Sequence, residues 1–324
     1  MKKEIKTVAI MTSGGDAPGM NAAIRAVVRT LEYKGKKILG IRRGFKGLLE
    51  SDIFEMQSKD VSDILQNGGT ILYTARSEEF MKPEVQERGA KICEVFGIDA
   101  LVVIGGNGSF KGAQALSKFG ISVVGIPATI DLDINCTDYT IGFDTAVNTA
   151  MENIDKIRDT SASHERVSIV EVMGRHAGYL ALWSGLICGS EEILVPEMEC
   201  NTNEIIKAIL QNRSKGKMHN LIVMAEGVGG AIELAKKIQD ITGIATRATI
   251  LGHLQRGGRP TAVDRMHATR MGVYAANLVC ESTNRVVAYR DGVYVDYDID
   301  EADKMIKRFP TDTYNDSRII SKRY

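Results

Sequence analysis

Several short segments of this 324-residue chain carry residue types suited to gripping a phosphate or moving a proton. Gly14-Gly15-Asp16-Ala17-Pro18-Gly19-Met20-Asn21 and Gly105-Gly106-Asn107-Gly108-Ser109 each follow an apolar run and precede a helical pattern. Glycines let the backbone approach a ligand, and the start of the following helix offers free N–H groups and the positive end of its dipole. A tight strand-to-helix turn without a ligand explains one such pair as well; two in one chain are harder to explain that way. The first segment is neither a Walker loop, since GK[ST] is missing, nor a clean dinucleotide fingerprint.

A third segment, Pro127-Ala128-Thr129-Ile130-Asp131-Leu132-Asp133, places two carboxylates at i and i+2. One suits a proton acceptor and the other a magnesium ligand, although a solvated acidic turn reads the same. A basic set accompanies these: Arg76, Arg166, Arg175, Arg247, Arg256 and His253. Isolated arginines are usually solvated surface. These fall in or beside Gly-rich turns, and a guanidinium grips phosphate bidentately.

The elements that must position these residues repeat one rhythm: an apolar β-branched run, a Gly-rich turn, then a helix. It occurs at Thr7–Met11, Leu101–Ile104, Ser122–Ile126, Val167–Val172, Asn220–Ala225 and Ala248–Leu251. Strands this apolar that alternate with helices predict an α/β fold with largely parallel sheets covered on both faces. Such sheets bind ligands at the carboxyl ends of their strands, where all these turns fall. Helical periodicity marks Asn21–Leu31, Thr145–Arg158 and Asp264–Cys280. No repeat, low-complexity tract or Pro-rich linker is visible, so linkers do not place a domain boundary. If there are two domains, the chain crosses between them more than once.

Composition narrows the class. Apolar residues make up 44% and charged residues 25%, the balance of an ordinary globular protein, and the formal net charge is zero. Nothing therefore suggests a nucleic-acid or membrane partner, and anionic ligands must be met by local Arg and Lys clusters. The apolar run ending at Met11 is too short for a secretory leader, and Leu180–Cys188 is too short to span a bilayer. Five scattered cysteines without a CxxC pair read as reduced cytosolic thiols, which places the chain in the cytoplasm.

Taken together, the motifs resemble the bacterial ATP-dependent 6-phosphofructokinases from Thr7 to about Arg308. The resemblance rests on TSGGDAPGMNAAIR, GGTIL followed by TARSEEF, DTSASHERVSIVEVMGRHAGYLAL, RATILGHLQRGG and DRMHATRMG. It implies two similar three-layer α/β/α domains with the active site in the cleft between them. An ATP-binding domain would span 1–138 plus about 251–304, and a sugar-phosphate domain 139–250 plus about 305–324. It further implies transfer of the γ-phosphoryl group of ATP to fructose 6-phosphate, the committed step of glycolysis, with Mg2+ as cofactor.

Carried over by motif, Asp131 is the base on the sugar's 1-hydroxyl, Thr129 orients beside it, and Arg175 stabilises the transferring phosphoryl. Gly15, Arg76, Ser77, Gly106, Asn107, Gly108 and Ser109 hold ATP; Met173, Gly174 and Glu226 contact the sugar; Arg166, Arg247, His253 and Arg256 hold its 6-phosphate. Arg166 and Arg247 come from a neighbouring subunit in this family, which implies a homotetramer with shared active sites. An effector pocket for ADP-like or phosphoenolpyruvate-like ligands uses Arg25, Arg29, Arg158, Glu191, Lys215, Lys217 and His219. One further family arginine falls on Ser58.

Three departures lie on the ATP and metal side. GGDGS reads GGNGS, so Asn107 stands for a magnesium-facing aspartate. TIDND reads TIDLD, with Leu132 between the carboxylates. An adenosine-side tyrosine reads Phe45, behind Arg42-Arg43. A weakly active or inactive regulatory paralogue that binds sugar phosphate is the alternative these changes suggest. Pyrophosphate-dependent relatives carry a bulky acidic residue where this chain has Gly108 and a lysine where it has Ala128, which favours ATP.

Overall fold

A computed structural model describes residues 4–321; the first and last three residues, which the domain ranges above include, lie outside the described residues. The strands are β1 (Thr7–Ser13), β2 (Lys37–Ile41), β3 (Ile53–Glu55), β4 (Ala100–Gly105), β5 (Ser122–Pro127), β6 (Val167–Val172), β7 (Glu192–Leu194), β8 (Asn220–Ala225), β9 (Thr246–Ile250), β10 (Arg285–Arg290) and β11 (Val293–Asp298). The helices are α1 (Met20–Tyr33), α2 (Gly44–Leu49), α3 (Pro83–Val95), α4 (Asn107–Ser117), α5 (Phe143–Ser163), α6 (Tyr179–Ile187), α7 (Thr202–Ser214), α8 (Ala231–Thr242), α9 (Ala262–Val279), α10 (Ile299–Ala302) and α11 (Thr311–Ser321).

The chain divides into two compact α/β units. Among the described residues the first comprises 4–130, 134–145 and 256–307, and the second 131–133, 146–255 and 308–321. In the first, a seven-stranded sheet runs β11-β10-β5-β4-β1-β2-β3, parallel except for the β2–β3 and β10–β11 pairs. Every residue of β4 and β5 is buried, which is why these strands read as continuous apolar runs. Alternate residues Ala9, Met11, Leu101, Val103 and Val123 pack with Phe45, Leu48, Phe80 and Phe110. Helices α1 and α9 pack together, and α9 covers β4 and β5.

In the second unit, four parallel strands run β7-β8-β6-β9. Val167, Ile169, Ile222 and Met224 face Ile205, Ile206, Ile209 and Ile238 of α7 and α8, while α6 packs against β6, β7 and β8. Each such side chain, fully buried, contributes about 1.5–3 kcal/mol. Strand β9 begins at Thr246, two residues before the apolar run that announces it, because its first residues pair with Val167 and Ser168 despite their polarity. No helix among the described residues is long and apolar enough to cross a membrane.

Candidate functional site

In the first unit the three Gly-rich or acidic turns follow β1, β4 and β5, which are neighbours in the order β5-β4-β1. The chain leaves β1 on one side through α1 to β2 and returns to β4 on the other, so the β1 and β4 ends border a topological switch point. Ser109 ties those ends together: its buried hydroxyl donates to the Ser13 carbonyl at 2.9 Å. Its side chain therefore serves the turn first, and Asn107 and Gly108 form the exposed start of α4. A Cβ at Gly108 would meet nothing within 4 Å.

Helices α1, α4, α6 and α8 begin behind Gly19, Gly106, Gly178 and Gly230 with no side-chain cap. Helices α7 and α9 are instead capped by the Asn201 and Thr261 side chains. An uncapped start leaves backbone donors for an anion.

Arg256 lies on the first turn. Its Nη1 donates to the Asp16 carbonyl at 3.2 Å, and a Cβ at Gly15 would sit 2.3 Å from it, so a larger residue there would push the guanidinium aside. The 70–77 loop docks on the same strand end. Thr12 Oγ1 donates to the Tyr73 carbonyl at 2.7 Å, and Thr74 Oγ1 to the Gly14 carbonyl at 2.8 Å. Asn21 organises this loop from the buried face of α1: Nδ2 donates to the Asn67 and Gly68 carbonyls at 3.2 Å, and Oδ1 accepts from the Ile71 N–H at 2.8 Å. Arg76 is exposed beside it, and the buried Ser77 Oγ has no partner among the described residues.

Phe45 offers no open face to a ligand. It is buried, stacked on Phe80 at 4.3 Å between ring centroids. Arg43 pairs with Asp52 at 2.7 Å, and Arg42 pairs with Asp52 at 3.2 Å while lying over the Phe54 ring.

After β5, Ala128 N–H donates to the Gly105 carbonyl at 3.0 Å, and the Thr129 carbonyl accepts the Thr140 hydroxyl at 2.7 Å. Thr129 and Asp131 are buried and Asp133 is half-buried. Leu132 between the carboxylates has φ +56°, the left-handed region that asparagine tolerates better than leucine. In the second unit, Glu197 and Asp133 add to the burial that pushes the Tyr179 hydroxyl up to about 12.

The second unit presents its own three turns after β8, β6 and β9, again neighbours. Gly174 and Arg175 have φ +134° and +54°. The Arg175 N–H donates to Glu226 Oε1 at 2.7 Å, and the Glu226 N–H to the Val172 carbonyl at 2.8 Å. Gln255, fully buried, fixes the third turn by accepting the Met173 N–H at 3.2 Å and donating to the Gly252 carbonyl at 2.9 Å. His253 and Arg175 are exposed. Burial raises the Glu171 carboxyl above its usual range, and the nearby Glu226 charge adds to this.

Two predicted arginines lie elsewhere. Arg166 precedes β6 and Arg247 is the second residue of β9, opposite Ser168, so both sit at amino ends of strands, away from the Gly-rich turns. The buried Arg166 Nε has no partner among the described residues, and Arg247 is exposed, donating to Gln239 Oε1 at 3.2 Å.

The amino edge of the same sheet gathers Arg158, Glu191 and Lys217. Arg158 donates to the Cys188 carbonyl; the buried Glu191 pairs with Lys217 and accepts the Leu221 N–H at 2.5 Å. Lys215 and His219 lie on the connection into β8. In the first unit, Arg25 and Arg29 lie on α1, where Glu32 accepts from the Ser58 hydroxyl and N–H. These bonds hold the Glu32 carboxyl below its usual range.

Asn21, Gln255 and the buried Asp264 at the start of α9 fall within the motifs quoted above without a role assigned there, and their buried hydrogen bonds emerge only in the structure.

Comparison with known proteins gives a consistent picture. A family model described as phosphofructokinase matches residues 7–279. A protein of Clostridium acetobutylicum named ATP-dependent 6-phosphofructokinase is 57% identical over 319 residues, 98% of this chain and 100% of that one. The structure of phosphofructokinase from Saccharomyces cerevisiae matches with TM-score 0.86 and 36% identity over 98% of this chain, which spans 48% of the yeast chain. A pyrophosphate-dependent phosphofructokinase from Marinobacter aquaeolei shares the fold, with TM-score 0.84 over 98% of this chain and 91% of that one, at 23% identity.

Proposed function

The chain belongs to the phosphofructokinase family, and on that premise we propose that it transfers the γ-phosphoryl group of ATP to the 1-hydroxyl of fructose 6-phosphate. The observation that carries this reading is the switch point of the first unit, where the Gly14-Gly15 turn and the uncapped start of α4, tied together by Ser109, offer backbone donors to a phosphate. The orphaned Ser77 hydroxyl and the open space at Gly108 support ATP as donor, since a nucleotide needs polar partners and room beyond its terminal phosphates.

In this reading Asp131 accepts the proton of the 1-hydroxyl as its oxygen bonds to the γ-phosphorus and the bond to the ADP oxygen breaks. Thr129 aligns the hydroxyl, and Arg175 offsets charge on the phosphoryl oxygens. Gly15, Arg76, Ser77 and the 106–109 turn hold ATP. Met173, Gly174 and Glu226 contact the sugar, and Arg166, Arg247, His253 and Arg256 its 6-phosphate.

Among the described residues no three His, Cys, Asp or Glu side chains converge as a metal cage. Mg2+ binds kinases through one or two carboxylates plus phosphate oxygens and water, and the oxygen donors of Asp133 and Asn107 fit that pattern. When bound it neutralises charge on the terminal phosphates.

The placement of Arg166 and Arg247 supports a homotetramer with shared sites. The basic and acidic groups at the amino edge of the second sheet, with Arg25 and Arg29, support a site for ADP-like or phosphoenolpyruvate-like effectors. Ser58, engaged by Glu32, adds no cation to it. The five free cysteines support a cytoplasmic setting.

The direct test is Asp131→Ala and Asp131→Ser. Turnover should fall by roughly two to four orders of magnitude while fructose 6-phosphate binding, read by calorimetry, stays within a few-fold. A loss below tenfold would remove Asp131 as the base.

A further inference from the structure

Asp264 is the third residue of α9 and has no accessible surface. An acidic residue there ordinarily reaches back to cap its own helix. Here Thr261 does the capping, accepting the Asp264 N–H at 3.3 Å, and the Asp264 carboxylate turns to a segment some 120 positions earlier in the chain. Oδ1 accepts the Tyr139 hydroxyl at 2.5 Å and the Gly142 N–H at 2.7 Å. Oδ2 accepts the Thr145 N–H at 2.8 Å and the Thr145 hydroxyl at 2.5 Å. The return contacts run the same way: Thr261 N–H donates to Thr145 Oγ1 at 3.1 Å, and Thr261 Oγ1 to Asp144 at 2.6 Å.

What this carboxylate holds lies between two arms of the candidate site. On one side, the Thr140 hydroxyl donates to the Thr129 carbonyl at 2.7 Å, and the Ile141 N–H to the Pro127 carbonyl at 3.0 Å. On the other, the segment lies flat on the first phosphate turn. A Cβ at Gly142, where φ is +104°, would be 2.7 Å from the Ala17 Cβ, and one at Gly19 would be 2.6 Å from Ile141. There is no slack on either face. A four-fold accepted, fully buried carboxylate is far more than a helix start requires.

We infer that Asp264 is a positioning residue for the reaction: its carboxylate clamps residues 139–145 as a strap that sets, through Thr140 and Ile141, where the Pro127–Thr129 strand end stands relative to the Ala17–Gly19 turn. The catalytic consequence rests on the role proposed above for Thr129. Displacing a reacting group by a fraction of an ångström is felt mainly in turnover, because binding contacts tolerate a shift that alignment does not.

The test combines steady-state kinetics with hydrogen–deuterium exchange on the full-length chain carrying Asp264→Asn, Thr140→Val or Thr140→Ser. Asp264→Asn keeps the shape but replaces one acceptor with a donor that faces other donors. It should lower kcat on the order of 10- to 100-fold, with KM for both substrates within about threefold. Exchange should rise in peptides covering 127–129 and 139–145 and stay unchanged in β2 and β8. Thr140→Val should lower kcat in the same way and Thr140→Ser restore it. The Asp264→Asn/Thr140→Val pair should lose little more than Asp264→Asn alone, since both act on one path. If Asp264→Asn does not fold, the two Thr140 variants carry the test.

A lower melting temperature with unchanged kcat and a uniform rise in exchange would make Asp264 a structural staple and overturn the inference. Lowered kcat without raised exchange at 127–129 would overturn the strap. Raised exchange there with unchanged kcat would overturn the role of Thr129, and the catalytic consequence with it.

Discussion

Arg166 and Met173 stand at opposite ends of one strand, Arg166 immediately before β6 and Met173 immediately after it. At the rise of a parallel strand this separates their backbones by about 23 Å, too far for both to touch one sugar phosphate from the same chain. If both serve that substrate, Arg166 and its neighbour Arg247 reach a site on another copy.

Hybrid assemblies measure this. Arg247→Ala should raise the half-saturating fructose 6-phosphate concentration about 30-fold, the equivalent of about 2 kcal/mol for a lost charge-assisted contact, and change that of ATP far less. Mixing Arg247→Ala with Asp131→Ala chains should restore activity above either alone. Absence of restoration at every mixing ratio would show that each chain's site is self-contained.

Asn107 opens α4 in an exposed position, with the size and one carbonyl oxygen of aspartate but no charge. Magnesium favours anionic oxygen, so the metal requirement should exceed that of an aspartate-bearing site. Asn107→Asp should lower the magnesium concentration for half-maximal activity, and Asp133→Asn should nearly abolish turnover, both read by titration at saturating substrates. Superimposable magnesium curves for wild type and Asn107→Asp would remove Asn107 from the metal site.

His267 stacks on Tyr139 at 3.9 Å and its Nδ1 lies 3.0 Å from the Tyr294 hydroxyl. Desolvation lowers its pKa below the ordinary value, with Asp144 opposing. The unfolded chain therefore takes up a proton near pH 6.5 that the folded chain refuses, so the contribution of His267 is present above that pH and lost as pH falls toward the folded value. The melting temperature of wild type should drop more between pH 7.5 and 5.5 than that of His267→Gln. Equal drops would contradict the assignment.

The order of apolar runs and Gly-rich turns was enough to read β1, β4, β5, β6 and β8 from the sequence, because buried parallel strands read as near-continuous apolar runs, interrupted inside β6 by Ser168 and Glu171. The β10–β11 hairpin has local signals too, the buried Val286-Val287-Ala288 of β10 and Asp291-Gly292 with both φ positive, but β11 has no buried residue and no such run. Arg166 and Arg247 each directly precede an apolar run, Val167–Val172 and Ala248–Leu251, so their place at strand amino ends was legible from those runs. The buried roles of Asn21, Gln255 and Asp264 depend on partners 46 to 125 positions away. Periodicity carries no such information. Phe45 stands by motif position where the family has an adenosine-side tyrosine, and its stacking on Phe80 buries it instead.

The most direct measurement of the central claim is an ADP-release assay with fructose 6-phosphate, coupled to an indicator reaction and run in parallel with ATP and with pyrophosphate as donor, the latter followed by fructose 1,6-bisphosphate formation. An ATP-dependent enzyme releases ADP only when the sugar is present and forms no bisphosphate above background with pyrophosphate. Turnover with pyrophosphate that exceeds turnover with ATP, or no ADP release at any magnesium concentration, would contradict it.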